Sequence, residues 1–216
     1  MTIYRDPRIR KVPTDETRRQ GEFLAAAALI VFLRWLPPWA SIALALALVG
    51  YFGWLSPRLF PATVRPEESG EPYPLGKTAY AGMVFFLVVF FRHRLFVAAG
   101  AWAILAAGDA AATLVGARFP LVRHLWNPEK SLGGTLAFVV AGGIAGFLAV
   151  QWVNYPPAPF PWRFALAASL PAAALGAIVE SLPLPVDDNV TVPVAAAVFL
   201  ALYTHPYLLQ ANHSIW

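Results

Sequence analysis

The chain of 216 residues is 58% hydrophobic and 13% charged, and an average soluble domain carries about 25% charged residues. This composition argues against an ordinary soluble protein and favours one integral membrane domain. Without cysteine the chain has neither disulfides nor thiolate metal sites, and its net charge of +4 is small.

The first part of the chain is polar and basic. Residues 1–21 are predicted to form a retained cytoplasmic segment, because no small-residue cleavage site precedes the next span. Residues 22–216 then form a single integral membrane catalytic domain. A basic flank of a membrane span accounts for the charge, so no nucleic-acid partner is predicted. The six basic residues are Arg5, Arg8, Arg10, Lys11, Arg18 and Arg19.

Seven apolar segments follow, which predict an all-α fold: a polytopic transmembrane bundle of about seven spans. Six to eight spans are possible, because the first three segments are shorter than the roughly 20 residues that cross a bilayer. The first pair, joined by Pro37-Pro38, is either a tight hairpin or re-entrant. The segments are Glu22–Leu36, Trp39–Leu55, Thr78–Phe91, Phe96–Val115, Leu132–Val153, Trp162–Leu182 and Val190–Leu209.

The distribution of positive charge predicts the orientation of these spans. With the N-terminus in the cytoplasm, twelve of the sixteen lysines and arginines fall on the cytoplasmic side. Arg92 and Arg94 do not fit this pattern. The loops that precede the fifth and last spans then face the cytoplasm, where nucleotides are found.

The first polar cluster is Asp109, which lies near the end of the fourth apolar segment within Gly-Asp-Ala-Ala-Ala. An ionisable group at membrane depth is costly and usually has a function or a partner. Small residues and Gly116 share its helix face. The carboxylate is therefore either a ligand for Mg²⁺, which prefers oxygen donors, or the partner of an arginine in a packed interface.

The second cluster is Asn127–Thr135, at the start of the fifth segment. Ser131 is predicted to cap that helix, and free N–H groups beside Lys130 favour an anion. The small Gly133 and Gly134 would let a phosphate approach the backbone. The spacing is not that of a P-loop, and an ordinary capped helix with a basic flank is the alternative.

The third cluster combines Glu180, near the end of the sixth segment, with Asp187 and Asp188. Adjacent carboxylates repel each other unless they are solvated or bridged by a metal ion. The alternative is a solvated loop in which Asp188 or Asn189 caps the last helix.

These three motifs, in this order between about Tyr80 and Pro193, resemble the phytol kinase and dolichol kinase family. Those are CTP-using membrane enzymes, distantly similar to phosphatidate cytidylyltransferases. The resemblance implies transfer of the terminal phosphate of CTP, or of another nucleotide, to an isoprenoid alcohol such as phytol, geranylgeraniol or a polyprenol. Several members carry an acidic residue where this chain has Gly133.

The resemblance also implies roles for individual residues. Catalytic roles fall to Asp109, Lys130 and Glu180. Mg²⁺ or a similar cation would be held by Asp109, Asp187 and Asp188. Nucleotide phosphates would be bound by Arg118, Lys130, Ser131, Gly133 and Gly134. Membrane lipids are expected partners and the oligomeric state is open. The alternatives are a cytidylyltransferase that makes a CDP-lipid, and a transporter or scaffold with charged gating residues.

Overall fold

The computed structural model describes residues 14–65, 68–71, 73–154 and 160–213. Every regular element in these ranges is helical, which confirms the all-α prediction. Residues 1–13 of the predicted basic segment lie outside the described residues.

Nine α-helices are present in the described ranges, and a π-helical turn, Tyr51–Leu55, joins the third to the fourth. The α-helices are α1 (Thr14–Ala27), α2 (Ile30–Leu33), α3 (Pro38–Gly50), α4 (Ser56–Leu59), α5 (Leu75–Phe90), α6 (Leu95–Arg118), α7 (Leu132–Val153), α8 (Trp162–Ser181) and α9 (Asp188–His213).

Five helical stretches are long and apolar enough to cross a membrane. The helix α5 is apolar but shorter, so the predicted count of about seven spans is not confirmed. The outer face of α7 illustrates the membrane character: Val140, Ile144 and Leu148 are all more than half exposed, at a spacing of four residues. One continuous apolar stripe on a helix surface suits contact with lipid. The five stretches are Pro38–Leu59, Leu95–Arg118, Leu132–Val153, Trp162–Ser181 and Asp188–Leu209.

The first predicted segment, Glu22–Leu36, is not one helix. The helix α1 begins earlier, at Thr14, and ends at Ala27. Around Leu29 the backbone hydrogen bonds change from i−4 to i−3 spacing, and α2 adds only one further turn. The buried residues of α1 are Gln20, Phe23 and Ala26, whose spacing of three places them on one face, and α1 packs against α6. A polar residue thus lies on the face that α1 buries.

The helix α6 is the inner helix of the bundle, in contact with α1, α7, α8 and α9. The most apolar part of α6 is 78% buried, whereas the corresponding parts of the other four candidate spans are 33% to 50% buried. Glycines allow α7 to approach it closely. A side chain at Gly108 would come within 2.6 Å of the Phe138 ring, and one at Gly116 within 3.1 Å of the Gly134 Cα. This close packing brings the backbone beside Asp109 near the start of α7.

A buried ion pair connects the N-terminal helices. The side chain of Lys77 is 1% exposed, and its Nζ lies 2.6 Å from Glu22 Oε2. The same ammonium donates to Ser56 Oγ at 2.6 Å and to the Thr63 hydroxyl. A buried lysine is tolerated when its three donors have such partners. The pair therefore ties α1 to α4, α5 and the turn after α4.

Candidate functional site

Three carboxylates from separate helices meet in one place. Asp109 comes from α6, Glu180 from the last turn of α8 and Asp188 from the first residue of α9. One oxygen of each lies within 4.8 Å of the others. Negative charges this close repel each other unless a cation balances them. The sequence predicted Asp109 and Asp188 as metal ligands; the structure adds Glu180 to the same cluster.

Lys130 supplies a positive charge to this cluster. Its Nζ pairs with Glu180 Oε1 and lies 3.5 Å from Asp188 Oδ2. Burial alone would lower the pKa of this ammonium, but the carboxylates of Glu180 and Asp188 outweigh that effect and raise the pKa above its ordinary value. Lys130 is therefore a cation at neutral pH and is not a proton acceptor.

Asp109 has a partner that the sequence motifs did not indicate. Gln20 of α1 donates from Nε2 to Asp109 Oδ2 at 2.8 Å and to Glu16 Oε1 at 3.0 Å. Gln20 is 3% exposed. The sequence signal that could have identified it is spacing, because Gln20 lies three residues before Phe23 and six before Ala26, on one face of the helix. In the part of the chain that the structure describes, the side chain bonded to Asp109 is this neutral amide and not the arginine of the alternative.

The two adjacent aspartates point to different partners. Asp187 Oδ2 lies 2.9 Å from Arg65 Nη1, whereas Asp188 belongs to the carboxylate cluster. Asp187 Oδ1 also accepts from the Asn189 N–H at 2.9 Å. Asp187, rather than Asp188 or Asn189, therefore caps α9. The sequence predicted Asp187 as a metal ligand, but its carboxylate is not one of the three that meet.

Arg65 reaches the site from the loop before α5 and was not predicted. Its Nη2 lies 3.9 Å from Asp188 Oδ1, in addition to the contact with Asp187. Burial alone would lower the pKa of its guanidinium, but the charges of Asp187 and Asp188 outweigh that effect and raise the pKa above its ordinary value. The residues share no local sequence pattern, because 122 positions separate Arg65 from Asp187.

The start of α7 is capped as the sequence predicted. Ser131 Oγ accepts from the Gly134 N–H at 3.2 Å. The preceding N–H groups are also bonded within the protein: Leu132 donates to Val122 O at 2.9 Å and Gly133 to Pro120 O at 3.2 Å. These backbone groups, which the sequence assigned to an anion, already have partners.

The two glycines after Ser131 serve close backbone packing. A Cβ at Gly133 would lie 1.8 Å from the Phe119 carbonyl oxygen, so no other residue fits without a backbone shift. A Cβ at Gly134 would lie 3.0 Å from the Ala112 carbonyl oxygen. The acidic side chain that several members of the resembling family carry at the Gly133 position has no room in this backbone.

The carboxylate cluster borders a polar cavity of about 390 Å³. This volume is within the range of roughly 300–1,000 Å³ for small-molecule sites. Ser131 and Gly134 line it, whereas Arg118 is exposed at the end of α6, with its guanidinium 5.8 Å from the Phe119 ring centroid. The cavity combines carboxylates with cations, which suits a ligand that carries both phosphates and a metal ion. Its basic lining residues are Arg19, Arg65, Arg123 and Lys130.

The fold and this site define an all-helical membrane protein with a charged cavity where several helix ends converge. The chain is similar to the phytol kinases, which confirms the resemblance to that family. It is 31% identical over 135 residues to "Probable phytol kinase 2, chloroplastic" of Oryza sativa subsp. japonica, covering 60% of this chain and 44% of the relative. It is 26% identical over 147 residues to "Phytol kinase 1, chloroplastic" of Arabidopsis thaliana, covering 65% and 47%.

A third relative, "Probable phytol kinase, chloroplastic" of Triticum aestivum, is 26% identical over 148 residues, covering 66% of this chain and 49% of the relative. The chain thus spans about half the length of the curated relatives it matches. No family model matches the chain, and no solved structure matches it. The likeness to phosphatidate cytidylyltransferases stays a prediction.

The contact between Gln20 and Asp109 can be tested through stability. We expect Gln20→Leu to lower the free energy of unfolding by about 1.5–3 kcal/mol, because a hydrogen bond to a partly buried carboxylate is lost at little change in volume. Thermal unfolding in detergent micelles measures this. Gln151→Leu is the matched control, since Gln151 is a partly buried glutamine of α7 whose Oε1 has no hydrogen-bond partner in the described structure. Equal losses in the two variants would contradict the role of Gln20.

Proposed function

We propose that this protein is a membrane lipid-alcohol kinase that transfers the terminal phosphate of a nucleotide, with CTP as the expected donor, to an isoprenoid alcohol such as phytol. One observation carries the proposal: Asp109, Lys130, Glu180 and Asp188, from three separate motifs, meet beside one cavity. The similarity to proteins named phytol kinases supports the same activity.

The carboxylate cluster fits a divalent cation such as Mg²⁺. Asp109, Glu180 and Asp188 offer oxygen ligands within 4.8 Å of one another, and Mg²⁺ is usually held by one or two carboxylates together with substrate phosphates. When bound, the cation would neutralise charge on the transferred phosphoryl group. Asp187 then has a supporting role, because it holds Arg65 and the start of α9 in place.

The phosphates would be bound by side chains. Lys130 is a cation next to the carboxylates, and Arg65 and Arg123 also line the cavity. In phosphoryl transfer the protein contributes mainly positioning and charge stabilisation, with little covalent chemistry. The arrangement suits that task, because basic side chains line a cavity large enough for several phosphate oxygens.

The alcohol hydroxyl must lose its proton as its oxygen bonds to phosphorus and the bond to the nucleoside diphosphate breaks. Lys130 is protonated, so a carboxylate accepts this proton. Glu180 is engaged with Lys130, whereas Asp109 accepts from the neutral amide of Gln20. Because Asp109 is not held by a cation in this way, we assign Asp109 as the proton acceptor.

Purified protein in nanodiscs, incubated with CTP labelled at the α or the γ phosphate and a panel of isoprenoid alcohols, tests the proposal. Transfer of the γ label to lipid supports the kinase. Transfer of the α label supports a cytidylyltransferase, and no transfer with any of the four nucleoside triphosphates supports a transporter or scaffold. Phytol, farnesol, geranylgeraniol and a longer polyprenol, tested separately, define the acceptor.

We also propose that the N-terminus and the catalytic loops face the cytoplasm. In this orientation, twelve of the sixteen lysines and arginines of the predicted layout lie on the cytoplasmic side, as membrane proteins generally prefer. The chain lacks cysteine, so single cysteines can be introduced cleanly. At Leu125 and Leu184, exposed in the loops before α7 and α9, cysteines should react with a membrane-impermeant maleimide from the cytoplasmic side. Labelling of the two positions from opposite sides would refute the topology.

A further inference from the structure

A second polar cavity, of about 410 Å³, lies at the other end of the helix bundle. It is bordered by the end of α2, the loop between α5 and α6, the end of α7 and the last part of α9. The three sequence motifs lie elsewhere. Because its charged lining residues are Arg34, Arg92 and Arg94, it is the arginine cavity of this protein.

The helix α6 runs from the arginine cavity to the polar cavity beside the carboxylates. Leu95 at the start of α6 lines the arginine cavity, and Gly116 near its end lines the polar cavity. At a rise of 1.5 Å per residue, these two positions are roughly 32 Å apart along the helix axis. That distance is about the thickness of the hydrocarbon core of a bilayer. In a membrane, the two cavities would therefore lie near opposite interfaces.

The charge of the arginine cavity is not balanced by acidic side chains. Among the described residues that line it, none carries a carboxylate. All of them come from stretches of the sequence without aspartate or glutamate, namely residues 23–66, 72–108, 130–179 and 189–216. Like charges that share one cavity repel each other, and an anion relieves this repulsion. The cavity therefore selects a negatively charged ligand.

Two of the arginines are half-buried and positioned by neighbouring rings. The guanidinium carbon of Arg34 lies above the Trp152 ring, 4.5 Å from its centroid. Arg94 Nη2 lies 3.3 Å from His205 Nδ1 on α9. A guanidinium presents its donors as a planar fork, which matches two oxygens of a phosphate. Because neighbours already position these forks, less conformational entropy is lost when a phosphate binds.

The same cavity also offers an apolar surface. Leu33, Leu36 and Leu208 are among its lining residues. Two exposed tryptophans, Trp35 and Trp152, pack beside it with their ring centroids 5.5 Å apart, and tryptophan is enriched where a membrane meets water. A ligand with a phosphate and hydrocarbon chains would contact both surfaces, whereas a free phosphate would use only the arginines.

We infer that the arginine cavity binds the phosphate head group of an anionic phospholipid, whose hydrocarbon chains lie against the neighbouring leucines. The inference is independent of the kinase activity and of the carboxylate cluster. It also accounts for Arg92 and Arg94, which do not fit the charge distribution of the other loops, because a lipid phosphate would neutralise them.

Lipid binding to the full chain, purified in an uncharged detergent and measured by native mass spectrometry without nucleotide, tests the inference. The probes are phosphatidylglycerol and phosphatidylcholine with the same acyl chains. We expect phosphatidylglycerol to bind at least about tenfold more tightly, since it alone carries a net charge for the arginines to neutralise. Equal affinities would overturn the inference. Displacement of phosphatidylglycerol by an equal concentration of inorganic phosphate would overturn the assignment to a lipid.

Variants locate the binding site. Arg34→Gln combined with Arg94→Gln should weaken phosphatidylglycerol binding about fivefold for each arginine, roughly 25-fold together. Arg163→Gln is the matched control, because Arg163 also lies over a tryptophan, 5.3 Å from the Trp162 ring centroid, but does not line the cavity. It should leave binding unchanged. If the double variant fails to fold, Arg92→Gln replaces it, with an expected loss of about fivefold. A loss as large in Arg163→Gln, or unchanged binding in the cavity variants, would refute the site.

Discussion

Asp109→Asn is expected to reduce phosphate transfer by at least about 10²–10³-fold, as the loss of a preorganised charge does in other active sites. The substitution removes one charge from the cluster with Glu180 and Asp188, and with it the assigned proton acceptor. The amide has the same size, and its carbonyl oxygen can still accept from Gln20. Initial rates of label transfer from CTP to phytol measure the effect, and thermal unfolding shows that the fold persists.

Asp187→Asn is the matched control for this variant. Asp187 lies next to Asp188 in the sequence but pairs with Arg65, outside the group of three carboxylates. We expect phosphate transfer to fall by no more than about tenfold, because the substitution weakens only the ion pair with Arg65 and the cap of α9. A larger loss in Asp187→Asn than in Asp109→Asn would restore Asp187 as the metal ligand and refute the assignment drawn from the geometry.

Lys130→Met is expected to have two effects. Transfer should fall by about 10²-fold or more, since a cation that neutralises phosphate charge is lost. Stability should fall by about 3–5 kcal/mol, because the largely buried Glu180 loses its partner. In the wild type this ion pair persists throughout the neutral range: the pKa of Lys130 is raised, so its contribution to stability is present at neutral pH and is lost as the pH rises from the ordinary lysine pKa through the raised one.

The same variant provides a test of cation binding. With Lys130 gone, the three carboxylates lose the cation that pairs with Glu180 and keep Arg65 beside Asp188, so Mg²⁺ should raise the melting temperature of Lys130→Met more than that of the wild type. Lys77→Met is the matched control, because it removes a buried lysine from Glu22, away from the three carboxylates. An equal response of both variants to Mg²⁺, or no response in Lys130→Met, would contradict a metal site at this cluster.

Sequence patterns predicted those helices that are continuous apolar runs between clear boundary residues. The segment Leu132–Val153 was predicted with the bounds that the structure has, because Ser131 caps it and the run behind it is uninterrupted. The convergence of three distant motifs was also predictable, since an even alternation of spans places their loops on one side. The helix α8 was placed within one residue at its C-terminal end.

Other features depend on contacts that no local pattern records. The helix α1 buries Gln20 on its inner face, and a buried polar residue weakens the hydrophobic period by which an amphipathic helix is recognised. The different directions of Asp187 and Asp188 depend on Arg65, which approaches from a distant loop. A distant contact also explains why Arg65 lines the cavity and Arg118 does not. Arg118 follows the Asp109 motif in sequence, but its side chain is exposed.

The contact between Gln20 and Asp109 joins α1 to the carboxylate cluster, and Glu16, Arg19 and Phe23 of the same helix line the polar cavity. If a nucleotide in the cavity binds best to one placement of α1, it stabilises that placement against all others. Reciprocity then requires a change in the packing of α1 to alter the affinity for the nucleotide by the same factor. Dissociation constants for the nucleotide, measured for the wild type and for Gln20→Leu, give its size.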